Sequence, residues 1–222
     1  MGELPGAVLF DLDGTLLESE QLWMQSAVEV MNALGSVWSD EDQAKFIGGP
    51  LALAAEHMSQ RVDKKTSADD IAGKLLMAQE EQIRHGVLPW KPGALALLRE
   101  AAETNLPRAL VTASWRRLVD VLVERINVDV GARAFTLEVA GDEVSNGKPD
   151  PEPYLKAAKA LLVRPVQCLV VEDSPKGVQS AVSAGCHVVA VQDSSFTESA
   201  GVMVVESLEA QTLENLWLGV TT

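Results

Sequence analysis

The sequence is poor in the residues that staple or metallate small proteins. Its two cysteines, Cys168 and Cys186, lack the paired spacing of a zinc site or a redox dithiol, so both read as small buried hydrophobes. The three histidines, His57, His85 and His187, follow no ligand spacing, and none is expected to be catalytic. No apolar run approaches the length of a membrane span, and the segment Met1-Gly2-Glu3-Leu4-Pro5-Gly6 lacks the basic and apolar regions of a signal peptide. A cytoplasmic, reducing location is therefore expected. Positive charge is also scarce: 18 Lys and Arg stand against 32 Asp and Glu, and the net charge of −14 repels nucleic acid and anionic membrane. An anionic substrate would need a locally positive site. Internal repeats and low-complexity segments are absent.

At 222 residues the chain is long enough to bury a core without staples, either as one large domain or as one domain with an insertion. Short apolar runs recur at Ala7 to Phe10, Arg108 to Val111, Cys168 to Val171, Val188 to Val191 and Val202 to Val205. Such runs suit strands buried on both faces of a parallel sheet. Helical spacing lies between most of them, as with Leu118, Val119, Leu122, Val123 and Ile126. The expected fold class is α/β, a doubly wound and mainly parallel sheet. The gap between the first two runs is too long for a single crossover, and from about Leu17 to Leu88 only helix-like spacing appears. An inserted α-helical domain over residues 17–88 is expected, with residues 1–16 and 89–222 forming the α/β core. Its helices are expected over Leu22 to Leu34, ended by Gly35, and near residues 50–61 and 68–85.

Polar residues follow three of the apolar runs: Asp11 after Phe10, Thr112 after Val111, and Glu172-Asp173 after Val171. In a parallel sheet these positions share the carboxyl edge, where open α/β folds bind ligands. Helix-start signals or flexible turns come next: Gly14-Thr15, Ser114 as an expected N-cap, and Ser174-Pro175 as N-cap and N1. Free N–H groups there would face an anion. Lys148, in Asn146-Gly147-Lys148-Pro149-Asp150-Pro151, is placed to reach the same edge. Asp11, Asp13, Glu172 and Asp173 bring about four negative charges, which would force protonation unless compensated. A divalent cation and Lys148 compensate about three of them. Oxygen-only ligation favours a hard ion such as Mg²⁺, which keeps waters and accepts a phosphate oxygen. Of two carboxylates two residues apart, one can act ionised as a nucleophile while the other acts as general acid and then base.

Taken singly, these signals are ordinary. Asp-x-Asp-Gly occurs in calcium loops, but Thr15 replaces the next acidic ligand and a strand precedes the motif. Gly141 to Lys148 fails as a P-loop, because Pro149 stands where Ser or Thr should follow the lysine. Together, Asp11-Leu12-Asp13-Gly14-Thr15, Thr112, Lys148 and Glu172-Asp173-Ser174 resemble the four motifs of the haloacid-dehalogenase-like superfamily, in order and setting across the whole chain. The resemblance implies a Rossmann-like core with a helical cap, of the branch that includes phosphoglycolate phosphatases and β-phosphoglucomutase. It implies that Asp11 accepts the phosphoryl group and that Asp13 protonates the leaving oxygen and later activates water. Thr112 and Lys148 would hold phosphate oxygens, with Leu12, Ala113 and Ser114 as candidate substrate-binding residues. Mg²⁺ would be bound by Asp11, the carbonyl of Asp13 and Asp173, with Glu172 nearby or ligating through water.

Departures narrow the expectation. Around Ile47-Gly48-Gly49-Pro50-Leu51, Leu51 falls where β-phosphoglucomutase has an arginine for a second phosphate and where phosphonoacetaldehyde hydrolases carry a lysine. Dehalogenases proper lack the second aspartate and the Gly-Thr pair. A phosphatase of a small phosphorylated metabolite, such as a sugar or polyol phosphate, is the leading expectation, working as a monomer or homodimer. A sugar-phosphate mutase and a non-catalytic phosphate-binding module are the alternatives. Trp23 and Trp90 fall near the two hinges, where entrance-lining and packing roles are both open.

Overall fold

A computed structural model describes residues 4–46, 51–63, 66–191 and 200–222. In chain order the elements are β1 (Ala7–Phe10), α1 (Ser19–Ala33), α2 (Asp40–Phe46), α3 (Leu51–Ser59), α4 (Ala68–His85) and α5 (Ala94–Glu103). They continue with β2 (Arg108–Val111), α6 (Arg116–Val130), β3 (Leu137–Val139), α7 (Glu152–Ala160), β4 (Cys168–Glu172), α8 (Pro175–Ser183), β5 (His187–Val191), β6 (Val202–Val205) and α9 (Leu213–Thr221). Among the described residues, no helix is long and apolar enough to cross a membrane. The chain divides into two compact units, Met1–Glu18 with Trp90–Thr222, and Ser19–Pro89.

The first unit is built on a six-stranded sheet of order β3-β2-β1-β4-β5-β6, and every pairing is parallel. Both faces are covered, which is why every residue of β1 and β4 is buried and all but the terminal Glu172 are apolar. The strand order reverses across β1 and β4, whose register pairs Phe10 with Val171. A crevice at the carboxyl ends of such neighbours is where ligands enter doubly wound folds. The edge strand β3 escapes the sequence reading. It has three residues, only Val139 of them buried, and Glu138 breaks its apolar run, as befits a short edge that must not recruit another strand. Cys168 and Cys186 are both buried free thiols, but they also lie on neighbouring strand starts: the register pairs the residues after them, Leu169 with His187, and the Cys168 thiol donates to Arg164 O at 3.5 Å. A spacing argument along the chain cannot see that pairing.

Among its described residues, the regular elements of the second unit are all helices. Its core gathers Ala27, Val30, Met31, Trp38, Ala55, Met58, Ile71, Leu75 and Ala78, through packing of α1 and α3 on α4. Gly35 ends α1 region with φ +74°, a left-handed conformation that glycine adopts without strain. The polar helix α2 buries none of its residues, which explains why periodicity does not announce it. Asp42 ties it to the neighbouring turn and helix: it caps Ser39, accepts from Arg61, and lies 3.0 Å from His57 Nε2. Leu51 packs against the core of this unit. Ile47 to Pro50, used to place Leu51, lie outside the described residues.

Candidate active site

Four chain segments converge at the carboxyl edge of the sheet. Asp11 is the first residue after β1, and its amide donates to Val171 O at 3.0 Å, which extends the β1–β4 ladder to the site. The loop then turns tightly: Leu16 and Leu17 amides both donate to Leu12 O, and Gly14 donates to Leu17 O. Gly14 sits at φ +91°, and a Cβ there would lie 2.1 Å from Asp173 Oδ2. Glycine is required both by the backbone and by the approach of that carboxylate. Thr15, fully buried, donates its hydroxyl to Asp173 Oδ1 at 2.8 Å and so fixes the orientation of Asp173.

Lys148 is the hub. Its side chain is 8 % exposed, and Nζ donates to Asp11 Oδ1 at 2.6 Å, Glu172 Oε1 at 2.6 Å and Val111 O at 2.9 Å. Three donors thus meet three acceptors. Burial alone would push the Lys148 ammonium toward neutrality, but the Asp11 and Glu172 carboxylates outweigh it and raise its pKa. The Asp11 carboxyl is held well above the usual range, first by burial and then by repulsion from Glu172, with Lys148 opposing both. Asp173 is pushed up to about 6, mainly by burial, against the lowering effect of the Thr15 hydrogen bond.

Asp13 faces the other way. Its Oδ2 accepts from Thr112 Oγ1 at 3.1 Å and Ser114 Oγ at 2.7 Å, which separates its environment from that of Asp11 two residues earlier. The expectation of Ser114 as N-cap is corrected here. The N-cap of α6 is Trp115, without a side-chain cap bond, because the Ser114 hydroxyl is spent on Asp13. Leu12, expected among the substrate contacts, has a fully buried side chain, so only its backbone can face a ligand. Ala113 is exposed, and its carbonyl lies so close to Gly141 that a Cβ there would come within 2.1 Å. By contrast, Ser174 caps α8 as expected, accepting from Gly177 N at 3.0 Å with Pro175 next in the chain.

Trp90 is half-buried, its indole N–H donates to Asp129 at 2.9 Å, and the adjacent Lys91 pairs with Glu18 at 2.7 Å. Trp23 is half-buried. Two residues that the sequence reading passes over belong to the cluster. Tyr154 donates its hydroxyl to Glu172 Oε1 at 2.9 Å, and Gly177 leaves room for that carboxylate, since a Cβ there would lie 1.7 Å from Oε1. Their signal is positional only, as an α7 residue shortly after Lys148 and an α8 residue shortly after Glu172.

The donor set fits a divalent cation. Asp11, Glu172 and Asp173 each offer an oxygen within 4.8 Å of the others. Three carboxylates against the single ammonium of Lys148 leave two negative charges in a buried crevice, which a divalent ion cancels. The raised pKa values of Asp11 and Asp173 express the same imbalance. Oxygen-only donors select a hard ion.

Comparison with known proteins agrees with this geometry. A family model described as haloacid dehalogenase-like hydrolase matches residues 8–191. The chain is 32% identical over 215 residues to hexitol phosphatase A of Escherichia coli (strain K12), covering 92% of each protein. It is 32% identical over 193 residues to a bifunctional riboflavin kinase/FMN phosphatase of Arabidopsis thaliana, where 85% of this chain spans only 49% of the relative. Among solved structures, CbbY from Rhodobacter sphaeroides in complex with phosphate superposes with a TM-score of 0.75 at 26% identity, over 96% of this chain and 99% of that one.

Proposed function

This chain belongs to the haloacid dehalogenase-like hydrolases, and from that premise we propose that it is a Mg²⁺-dependent phosphatase of a small phosphomonoester, working through an aspartyl-phosphate on Asp11. The observation that carries the reading is the buried hub itself, in which Lys148 bridges Asp11 and Glu172 while Thr15 aims Asp173 at the same point. A nucleophilic carboxylate needs an approaching anion, and the crevice answers that repulsion with Lys148 and a place for a divalent ion.

Asp11 attacks phosphorus through a carboxylate oxygen as the bond from phosphorus to the ester oxygen breaks. Asp13 donates its proton to that leaving oxygen, so the alcohol departs neutral. A water molecule then attacks the aspartyl-phosphate, Asp13 takes its proton, and inorganic phosphate and the free Asp11 carboxylate are restored. The hydroxyls of Thr112 and Ser114 hold Asp13 in place for both transfers. Lys148 keeps Asp11 oriented and supplies positive charge beside the transferring group. Asp11, Asp173 and the carbonyl of Asp13 would hold Mg²⁺, which supplies charge neutralisation to the phosphate oxygens when bound.

A sugar or polyol phosphate is the substrate class supported by the relative named a hexitol phosphatase, and a cytoplasmic setting suits such a metabolite. Net hydrolysis is favoured over mutase chemistry because Leu51, which packs against the core of the helical unit, offers no cation for a second phosphate. The test is release of inorganic phosphate, with Mg²⁺, from a panel of sugar, polyol and aryl phosphates. Asp11→Asn should lower turnover on the order of a thousandfold or more while leaving the folded spectrum unchanged. Undiminished hydrolysis in that variant would remove Asp11 as the nucleophile.

A further inference from the structure

The chain's single tyrosine stands completely buried, on the third residue of α7, with its ring in the main core. Packing alone would be served as well by phenylalanine, which brings no hydroxyl to satisfy. The hydroxyl of Tyr154 is nevertheless used, donating to Glu172 Oε1 at 2.9 Å, while the ring lies 5.0 Å from Lys148 Nζ. Glu172 is fully buried and accepts five hydrogen bonds. Oε1 takes Lys148 Nζ and Tyr154 OH; Oε2 takes the amides of Asp173 and Ser174 at 3.0 Å each and Ser174 Oγ at 3.1 Å. A carboxylate presents about four lone-pair sites, so its accepting capacity is spent inside the protein. Gly177 is packed so close to Oε1 that the group has no space to rotate on that side.

We propose that Tyr154 is a positioning residue: its hydroxyl locks Glu172 in the conformation in which Glu172 orients Lys148 and the Asp173 backbone. This rests on the phosphatase reading for its kinetic consequences, but the contact between Tyr154 and Glu172 does not. Removing the hydroxyl takes one of two donors from Oε1, leaves a buried lone pair facing an apolar wall, and frees Glu172 to draw Lys148 away from Asp11. Placement of Lys148 matters most when charge moves onto the transferring phosphoryl group, so kcat should suffer more than KM.

The experiment compares wild type, Tyr154→Phe, Glu172→Gln and the double variant for thermal midpoint, kcat and KM with Mg²⁺ and an aryl phosphate. Tyr154→Phe should keep the fold and lower kcat about tenfold, the scale of a lost bond to a charged acceptor, with KM changed less than about threefold. In the Glu172→Gln background the same change should have little further effect, because the hydroxyl acts through the carboxylate. Unchanged kcat in Tyr154→Phe, or a loss that adds fully to that of Glu172→Gln, overturns the proposal. Because Tyr154 is the one tyrosine, biosynthetic fluorotyrosine labels it alone, and its fluorine NMR signal should shift on Glu172→Gln in a protein that need not turn over. An unmoved signal overturns the contact, whereas a shifted signal in a wild type that hydrolyses nothing overturns the phosphatase reading instead.

Discussion

Asp11 and Asp13 are two residues apart and have different surroundings. Asp11 shares Lys148 with Glu172, and its carboxyl is driven up by burial and by Glu172. Asp13 receives two hydroxyl donors, from Thr112 and Ser114, on a single oxygen. Division of labour between paired carboxylates arises from such differences of environment. Gly14 decides how closely the third carboxylate can approach. In Gly14→Ala the new Cβ meets Asp173 Oδ2 at 2.1 Å at a φ of +91°, so the loop or Asp173 must shift. The Mg²⁺ concentration for half-maximal activity should rise by about tenfold or more, in line with other changes to groups that orient metal ligands. Activity measured across a Mg²⁺ titration checks this, and a superimposable curve would show that Asp173 is free to move aside.

Elements turn these residue requirements into fixed positions. The loop before α7 is held by Glu152, which accepts from the amides of Ser145 at 2.7 Å and Asn146 at 2.9 Å, and these contacts lower the Glu152 pKa. Lys148 follows two residues later, so the first residue of α7 also holds the loop that carries the lysine. At β4, the chain ends its strand in Glu172 and starts α8 at once through Ser174 and Pro175, which leaves the first amides of the turn for the Glu172 carboxylate. In the helical unit, α4 carries a full capping box, with Ser67 accepting from Asp70 N while Asp70 accepts from Ser67 N. Ser67→Ala should lower the stability of that unit by about 1 kcal/mol, seen as a lower urea midpoint for helical signal, with kcat on a saturating aryl phosphate unchanged. A midpoint equal to wild type would mean that the cap contributes nothing beyond the packing of α1 and α3 on α4.

The whole molecule carries a net charge of −14, and the site concentrates part of it as a buried excess of carboxylate over ammonium. Asp173 makes this measurable. Its pKa is raised to about 6 from 3.8, so the stability tied to its protonated form is present below about pH 4 and lost as pH rises through 6. Ionised at pH 7.5, it costs the ion-free protein about 1–2 kcal/mol after discount for solvent access to a half-buried group. Asp173→Asn should therefore be more stable than wild type at pH 7.5 without metal, with the gap closing toward pH 4. Mg²⁺ should stabilise wild type at pH 7.5, less so at pH 5 where protons compete for the same carboxylate, and should leave Asp173→Asn nearly unmoved. Denaturant unfolding at the two pH values with and without Mg²⁺ checks the sign, and a less stable Asp173→Asn at pH 7.5 would contradict it.

The five long strands of the sheet, the helical stretch between β1 and α5, and the polar positions Asp11, Thr112 and Glu172-Asp173 are legible in the chain because each rests on a local signal, whereas Asp13 and Lys148 stand out only through their order and setting beside those motifs. A buried parallel strand is a run of apolar residues, and a ligand at its carboxyl end needs a polar residue directly after that run. What the tertiary structure alone decided depends on approach between segments distant in sequence. The strand register set Cys168 and Cys186 on neighbouring strand starts. The turn of the loop after β2 sent Ser114 to Asp13 in place of its expected cap. The packing of α7 and α8 on β4 filled every acceptor of Glu172 from within the protein, with Tyr154 supplying one donor and Gly177 the space. Hydrogen bonds act over about 3 Å, and no periodicity along the chain encodes which side chains the fold will bring that close.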